Sequence, residues 1–258
     1  MTPHYLHAEM ICEALKRNIN CLCEKPLAIS ASQLNQIEKA CLKSKAKLGV
    51  CFQRRFWGGA KLIQKIFKDN PILSANGNLS WCRDSSYYEQ DAWRGKKTTE
   101  GGGVLINQAI HIIDLVIYLM GYPNSVIGYT SNDTLKDVID VEESAFVIFK
   151  YKDGRRFLLE ASNANNKSHE LSISFSNNKH NATLIGETLY IDQKLKLVNE
   201  SIFKEGKKEW GNGHFALIKN FYECVVKKKD FLINFKEARK TIDLILAIYK
   251  SNGKEVKV

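Results

Sequence analysis

The chain has 258 residues, 44% of them hydrophobic, enough apolar material for one large or two modest domains. No apolar run approaches the roughly 20 residues of a membrane span; the longest, Ala109 to Met120, is broken by His111 and Asp114. The formal charge of +10 is spread along the whole length, which argues for a solvated, lysine-rich surface that attracts small anions and against a nucleic-acid partner.

Seven cysteines lie scattered, with no Cys-x-x-Cys. That argues against a zinc ribbon or redox pair, so no metal site is expected, and it fits a reducing cytoplasm. The first residues, Met1 to His7, have neither the basic nor the apolar stretch of a signal peptide.

In chain order, apolar residues at helical spacing predict a helix from about His4 to Lys16. Ile19 to Cys23 reads as a short strand that ends at Glu24-Lys25-Pro26. Ser30 is a candidate N-cap for a helix to about Lys45, and Leu48 to Phe52 reads as a second buried strand. This alternation predicts a parallel sheet. Two strands are too few to bury both faces of one, so further strands are expected ahead of Met1.

After a helix around Lys61 to Lys68 the pattern changes. Ser74 to Cys82 reads as a strand, and a polar, aromatic-rich loop runs from Arg83 to Gly103. Val104 to Met120 is apolar nearly all round and predicts a buried helix stopped by Gly121 and Pro123. Strands follow at Val126 to Tyr129, Ser144 to Tyr151, Arg156 to Ser162, Leu171 to Ser176 and Ala182 to Ile185, with a hairpin from Tyr190 to Leu197. Two helices, about Phe215 to Lys228 and Lys236 to Tyr249, close the chain. The expected fold is α/β plus α+β: part of a Rossmann-type parallel sheet, then a larger, mostly antiparallel open sheet packed on helices.

Two features carry chemistry. In the buried helix, Asn107, His111 and Asp114 fall at i, i+4 and i+7, on one face. A buried helix keeps such a line only where the groups are satisfied or used. His111 is either a core histidine bonded to Asp114 or a carbonyl, or a base that takes a proton from a substrate hydroxyl, with Asp114 orienting its ring. Gly101-Gly102-Gly103 allows another backbone or a ligand to approach closely. The second feature is Lys25, at the carboxyl edge of the predicted sheet, where ligands bind. It is either a surface lysine in a turn or a functional group with a lowered pKa. Pro26 allows a cis bond.

At these residues the chain resembles the Gfo/Idh/MocA oxidoreductase family. The resemblance runs through Cys23-Glu24-Lys25-Pro26-Leu27-Ala28, Phe52-Gln53-Arg54-Arg55-Phe56, Tyr87-Tyr88, Trp93-Arg94-Gly95, Glu100-Gly101-Gly102-Gly103-Val104-Leu105, His111-x-x-Asp114 and Gly213-His214. It implies hydride transfer between NAD or NADP and a secondary hydroxyl of a sugar, polyol or related metabolite. Lys25, His111 and Asn107 would be catalytic; Asn107 stands where many members have aspartate. Pro3, His7, Glu24, Lys25, Pro26, Trp93 and Arg94 would lie at the cofactor. Arg54, Tyr87, Tyr88 and Gln108 would join Lys25, Asn107 and His111 at the substrate. Residues 1–55 would be the second half of a nucleotide-binding domain. Residues 56–258 would be a substrate and oligomerisation domain, with its last helices packing back on the first. A homo-oligomer through the C-terminal sheet, with neither nucleic acid nor membrane as partner, is implied. The sequence has no Gly-x-Gly-x-x-Gly, which leaves two expectations open: an oxidoreductase whose glycine-rich turn precedes Met1, or a catalytically impaired binding or oligomerisation module.

Overall fold

The computed structural model describes residues 2–197 and 212–258. A single 3-10 turn at His4–Leu6 leads into helix α1, His7–Lys16. Strand β1, Cys21–Cys23, helix α2, Ala31–Lys43, and strand β2, Leu48–Val50, follow. The Ser30 hydroxyl accepts from Gln33 N at 3.2 Å, so the predicted cap is made. β1 and β2 pair in parallel, Cys21 opposite Leu48. Both strands are shorter than predicted. Cys51 N still donates to Cys23 O at 2.9 Å, and the chain then enters a 3-10 turn at Gln53–Phe56 that buries both Arg54 and Arg55.

Helix α3, Gly58–Ile66, then leads to the large sheet. Its strands are β3, Ser74–Ser80; β4, Ser125–Ser131; β5, Ser144–Lys150; β6, Arg156–Ser162; β7, Ser172–Ser176; β8, Asn181–Ile185; β9, Thr188–Ile191; β10, Lys194–Leu197; and β11, Val256–Lys257. Among the described residues the order is β10-β9-β8-β7-β3-β6-β5-β4-β11. Among its described strands only β3 and β6 run parallel. One face carries Val147, Phe149, Phe157, Leu159, Ile173 and Phe175, all buried to zero exposure. Each such side chain contributes on the order of 1.5–3 kcal/mol. Alternation puts Ile127, Tyr129, Phe146, Ile148 and Leu158 on the other face, adjacent in register and only partly covered.

The loop after β3 contains one short helix, α4, Ser85–Glu89, capped by Asp84. The predicted long helix has two parts. Leu105–Ala109 is a π-helical turn, and α5 proper runs Ile110–Met120 to a stop at Gly121, φ +85. Such turns are frequent at functional sites. Helices α6, Gly213–Val226, and α7, Phe235–Ser251, complete the set. α7 packs on α2, β2, β4 and α5. Val50 N donates to Ile233 O at 3.0 Å, and Arg239 pairs with Glu38 at 2.9 Å, which ties α7 and the segment before it to β2 and α2. No described helix is long and apolar enough to cross a membrane.

Candidate active site

The chain leaves β1 through Glu24, Lys25 and Pro26, at the carboxyl edge of the parallel pair. The Lys25–Pro26 peptide is cis. His7 is buried beneath this turn; its Nδ1 lies 2.7 Å from the Pro26 carbonyl oxygen and its Nε2 3.3 Å from that of Thr2. Both ring nitrogens therefore face backbone. Pro3 sits half-buried ahead of the first turn, its carbonyl accepting from Leu6 N.

Lys25 reaches across to the π-helical turn. Its ammonium donates to the Asn107 backbone oxygen at 2.6 Å and to Asn107 Oδ1 at 3.1 Å. The same side-chain amide donates through Nδ2 to Glu100 Oε1, while Glu100 Oε2 accepts from Gly95 N at 2.5 Å. Asn107 thus bridges a cation and a carboxyl group. Desolvation lowers Lys25 to about 8, against the opposing pull of Glu24 and Glu100. Burial raises Glu100 to about 7, although Gly95 N–H, the Asn107 amide, Arg94 and Lys25 all favour its ionised form.

His111, one turn further on, stays partly open to solvent. Desolvation, then the charges of Lys25, Arg54 and His214, hold it well below the usual imidazole range, so it is neutral. Its Nδ1 is buried with no hydrogen-bond partner among the described residues.

Asp114 does not orient the His111 ring. Its Oδ2 accepts from Arg55 Nε at 2.9 Å, and its Oδ1 from Arg55 Nη2 at 2.7 Å and Thr241 Oγ1 at 3.1 Å. Arg55 and Asp114 are each 1% exposed. A guanidinium fork satisfies both carboxylate oxygens at once, which a single imidazole N–H cannot do.

The triple glycine serves the chain's own packing. A Cβ on Gly103 would lie 1.8 Å from the Glu142 carbonyl oxygen, and one on Gly102 2.0 Å from the Tyr249 hydroxyl. The buried Glu142 carboxylate accepts from Gly103 N, Leu105 N and the Tyr249 hydroxyl. It thereby fixes the start of the helix that carries Asn107 and His111.

The aromatic loop is brought to the same place in part. Trp93 packs against His4, ring centroids 4.7 Å apart. Arg94 pairs with Asp91, donates to the Tyr87 hydroxyl at 2.7 Å and lies over the Tyr87 and Trp93 rings. Tyr88 and Gln108, expected at the substrate, are turned inward. Both are buried, and Asn163 Nδ2 donates to Gln108 Oε1 at 3.1 Å and approaches the Tyr88 hydroxyl at 3.5 Å. Buried amides and phenols need such partners.

Three residues were not singled out for this cluster. Glu100 appeared only as part of a motif. His4 donates from Nδ1 to the Glu100 carbonyl at 3.0 Å, and burial, followed by Lys25, lowers it to about 3. His214 lies 3.5 Å from Glu24. The sequence signal for His4 was its place on the buried side of the first helical turn. A separate cavity of about 340 Å³, lined by residues including Leu73, Arg155, Arg156 and Asn177, shares no residue with this cluster. Among the described residues no His, Cys, Asp and Glu gather as a metal site.

A parallel strand pair feeding an open, mostly antiparallel sheet, with lysine, asparagine and histidine gathered at their junction, defines a two-part α/β fold of the dehydrogenase type. Residues 1–52 match the oxidoreductase family's NAD-binding Rossmann fold, and residues 71–258 match its C-terminal alpha/beta domain. The chain belongs to the Gfo/Idh/MocA oxidoreductase family. Among its relatives is a 2,7-anhydro-N-acetylneuraminate hydratase of Mediterraneibacter gnavus, 27% identical over 62% of this chain and 43% of that protein. Another is a D-glucoside 3-dehydrogenase of Escherichia coli, 24% identical over 97% of this chain and 75% of that protein. The chain spans about half the length of several relatives it matches. Among solved structures, the WlbA dehydrogenase of Bordetella pertussis, in complex with NADH and UDP-GlcNAcA, shares the fold. Its TM-score is 0.83 at 24% identity, over 100% of this chain and 77% of that one.

Proposed function

We propose that this chain is the catalytic part of an NAD(P)-dependent oxidoreductase acting on a secondary hydroxyl of a sugar, polyol or sugar derivative. Its nucleotide-binding part is taken as residues 1–55 and its substrate part as 56–258. The observation that carries the reading is Lys25: an ammonium lowered to about 8, at the carboxyl edge of the parallel pair, bonded to Asn107. A partly open, neutral His111 within reach of its charge supports it.

The residues fit the nicotinamide end of the cofactor, since the Lys25 ammonium lies at the edge where dinucleotides bind, and its partner Asn107 stands one turn before His111, whose buried Nδ1 is unpartnered among the described residues. Glu24, Pro26, Trp93 and Arg94 would hold that end; the pyrophosphate end is not assigned to residues of this chain. What NAD(P) supplies when bound is the hydride acceptor. Lys25 holds the substrate oxygen by charge-assisted hydrogen bonding, and neutral His111 takes the hydroxyl proton as the carbonyl forms. Asn107 keeps the ammonium in place.

The pH profile follows from these groups. Glu100 loses its charge as pH falls through about 7, and Lys25 loses its proton as pH rises through about 8. In the alcohol-oxidation direction kcat/KM is therefore expected to be bell-shaped, with apparent limbs near those values. Lys25→Arg, whatever activity it keeps, removes the alkaline limb, because arginine stays charged. An alkaline limb that persists in that variant rejects the role given to Lys25. Absence of NAD(P)H binding by the chain in a fluorescence titration would favour the module without cofactor.

The open sheet face supports a homo-oligomer. Tyr129 and Phe146 are 57% and 45% exposed and sit opposite one another in register, and contiguous exposed apolar patches mark interaction surfaces. Light scattering is expected to show a dimer or larger for the unaltered chain and a smaller species for Phe146→Glu. An unaltered chain that runs as a monomer removes the proposal.

A further inference from the structure

Two arginines stand side by side in the turn after β2, and the fold treats them oppositely. Arg55 is paired with Asp114 at 2.7 Å and Glu237 at 3.3 Å. Arg54 is 6% exposed, yet no carboxylate lies within salt-bridge distance of it among the described residues. Its Nε and Nη1 are buried without hydrogen-bond partners there. The guanidinium lies over the Trp57 ring, 4.5 Å from the centroid. Burial lowers it to about 10, with Glu187 supplying an opposing field, so it is still a cation at neutral pH.

Its neighbours are also incomplete. Gln53 Oε1 and Trp57 Nε1 are buried without hydrogen-bond partners among the described residues, as is His111 Nδ1. A Cβ on Gly213 would lie 2.7 Å from Gln53 O and 2.8 Å from Trp57 Nε1, and the adjoining His214 lies 3.5 Å from Glu24, beside Lys25, so the turn borders the active site; the Arg54 charge also helps to lower His111. A buried cation with no carboxylate within salt-bridge distance, and only a more distant one in its field, is unfavourable in a folded chain. An anionic ligand group would relieve that penalty.

We propose that Arg54 recognises an anion at the substrate site, and that the sugar or polyol this chain takes carries a carboxylate. The inference rests on the oxidoreductase reading above and adds the substrate class. A planar carboxylate suits a single guanidinium fork with one indole N–H beside it. A phosphate group, with three oxygens and higher charge, asks for more donors than these. The carboxylate would hold the substrate by its far end and leave the reacting hydroxyl to Lys25 and His111.

The test is a calorimetric titration of the full chain with matched neutral and acidic pairs: glucose with glucuronate, galactose with galacturonate, and glucose 6-phosphate as the phosphate control. At least one uronate is expected to bind about ten- to hundredfold tighter than its neutral partner, the scale of a hydrogen bond to a charged group. That preference is expected to vanish in Arg54→Gln, to survive in part in Arg54→Lys, and to leave NADH affinity unchanged. Arg54→Met without ligand is expected to melt no lower than the unaltered chain, since it sheds a buried charge that no carboxylate contacts. Uronates no tighter than their neutral partners, a preference for the phosphate, or a preference intact in Arg54→Gln would each overturn the proposal. Failure of the oxidoreductase reading shows separately, as absent NAD(P)H binding or turnover indifferent to Lys25.

Discussion

Lys25→Met is expected to lower kcat/KM for alcohol oxidation by about 10²–10³-fold, the range for losing one preorganised donor at the reacting oxygen. That is about 2.7–4 kcal/mol of transition-state stabilisation. Methionine keeps the unbranched stem and removes the ammonium that Asn107 accepts from. Thermal stability should change little, because the lost ammonium was desolvated to begin with. Steady-state kinetics beside a melting curve separates the two effects. Turnover within about twofold of the unaltered enzyme would reject Lys25 as the group at the reacting hydroxyl.

The second large effect concerns stability. Arg55→Met leaves Asp114 ionised and buried, with only Thr241 to bond it. Breaking a buried pair from one side costs about 3–5 kcal/mol, and a chain of this size loses roughly 2–4 °C per kcal/mol. The double variant Arg55→Met with Asp114→Leu should recover much of the loss, since it removes both charges and keeps the volume. Denaturant unfolding of the two variants checks this. A single variant as stable as the unaltered chain would mean that Asp114 takes up a proton at little expense. Burial already pushes Asp114 upward, so the comparison should be run at neutral and at acid pH.

Much of this architecture was legible in the sequence because it is local. The period-2 runs from Ser144 to Ile185 all became strands, and Ser30 capped the helix it was expected to cap. The missed strand, Val256–Lys257, is two residues long and exists only through β4. Helical periodicity could not reveal the π turn at Leu105–Ala109, whose apolar residues fit either winding. The site was legible in its members rather than in its wiring. Lys25, Asn107 and His111 were named as a set, but the Lys25–Asn107 bond spans 82 residues. Asp114 was read as the partner of the nearest histidine on its own helix. The winner was an arginine 59 residues away, a competitor that sequence spacing cannot rank. Glu100 lay in view beside the glycines, but its place against Asn107 depends on the loop that brings Gly95 N to its other oxygen.

The buried Arg55 also bears on how the polypeptide is made. Its partners are Asp114, Glu237 and, through Asp114, Thr241, the farthest of them 186 positions downstream by number. On a ribosome, the nascent chain carries Arg55 and Asp114 without Glu237 or Thr241 until α7 has been synthesised. The junction between the parallel strands and the large sheet is thus closed by α7 seating over residues that emerged well before it. The order of synthesis is opposed to the order of packing, and a nascent chain waiting in that state leaves apolar surface open to chaperones.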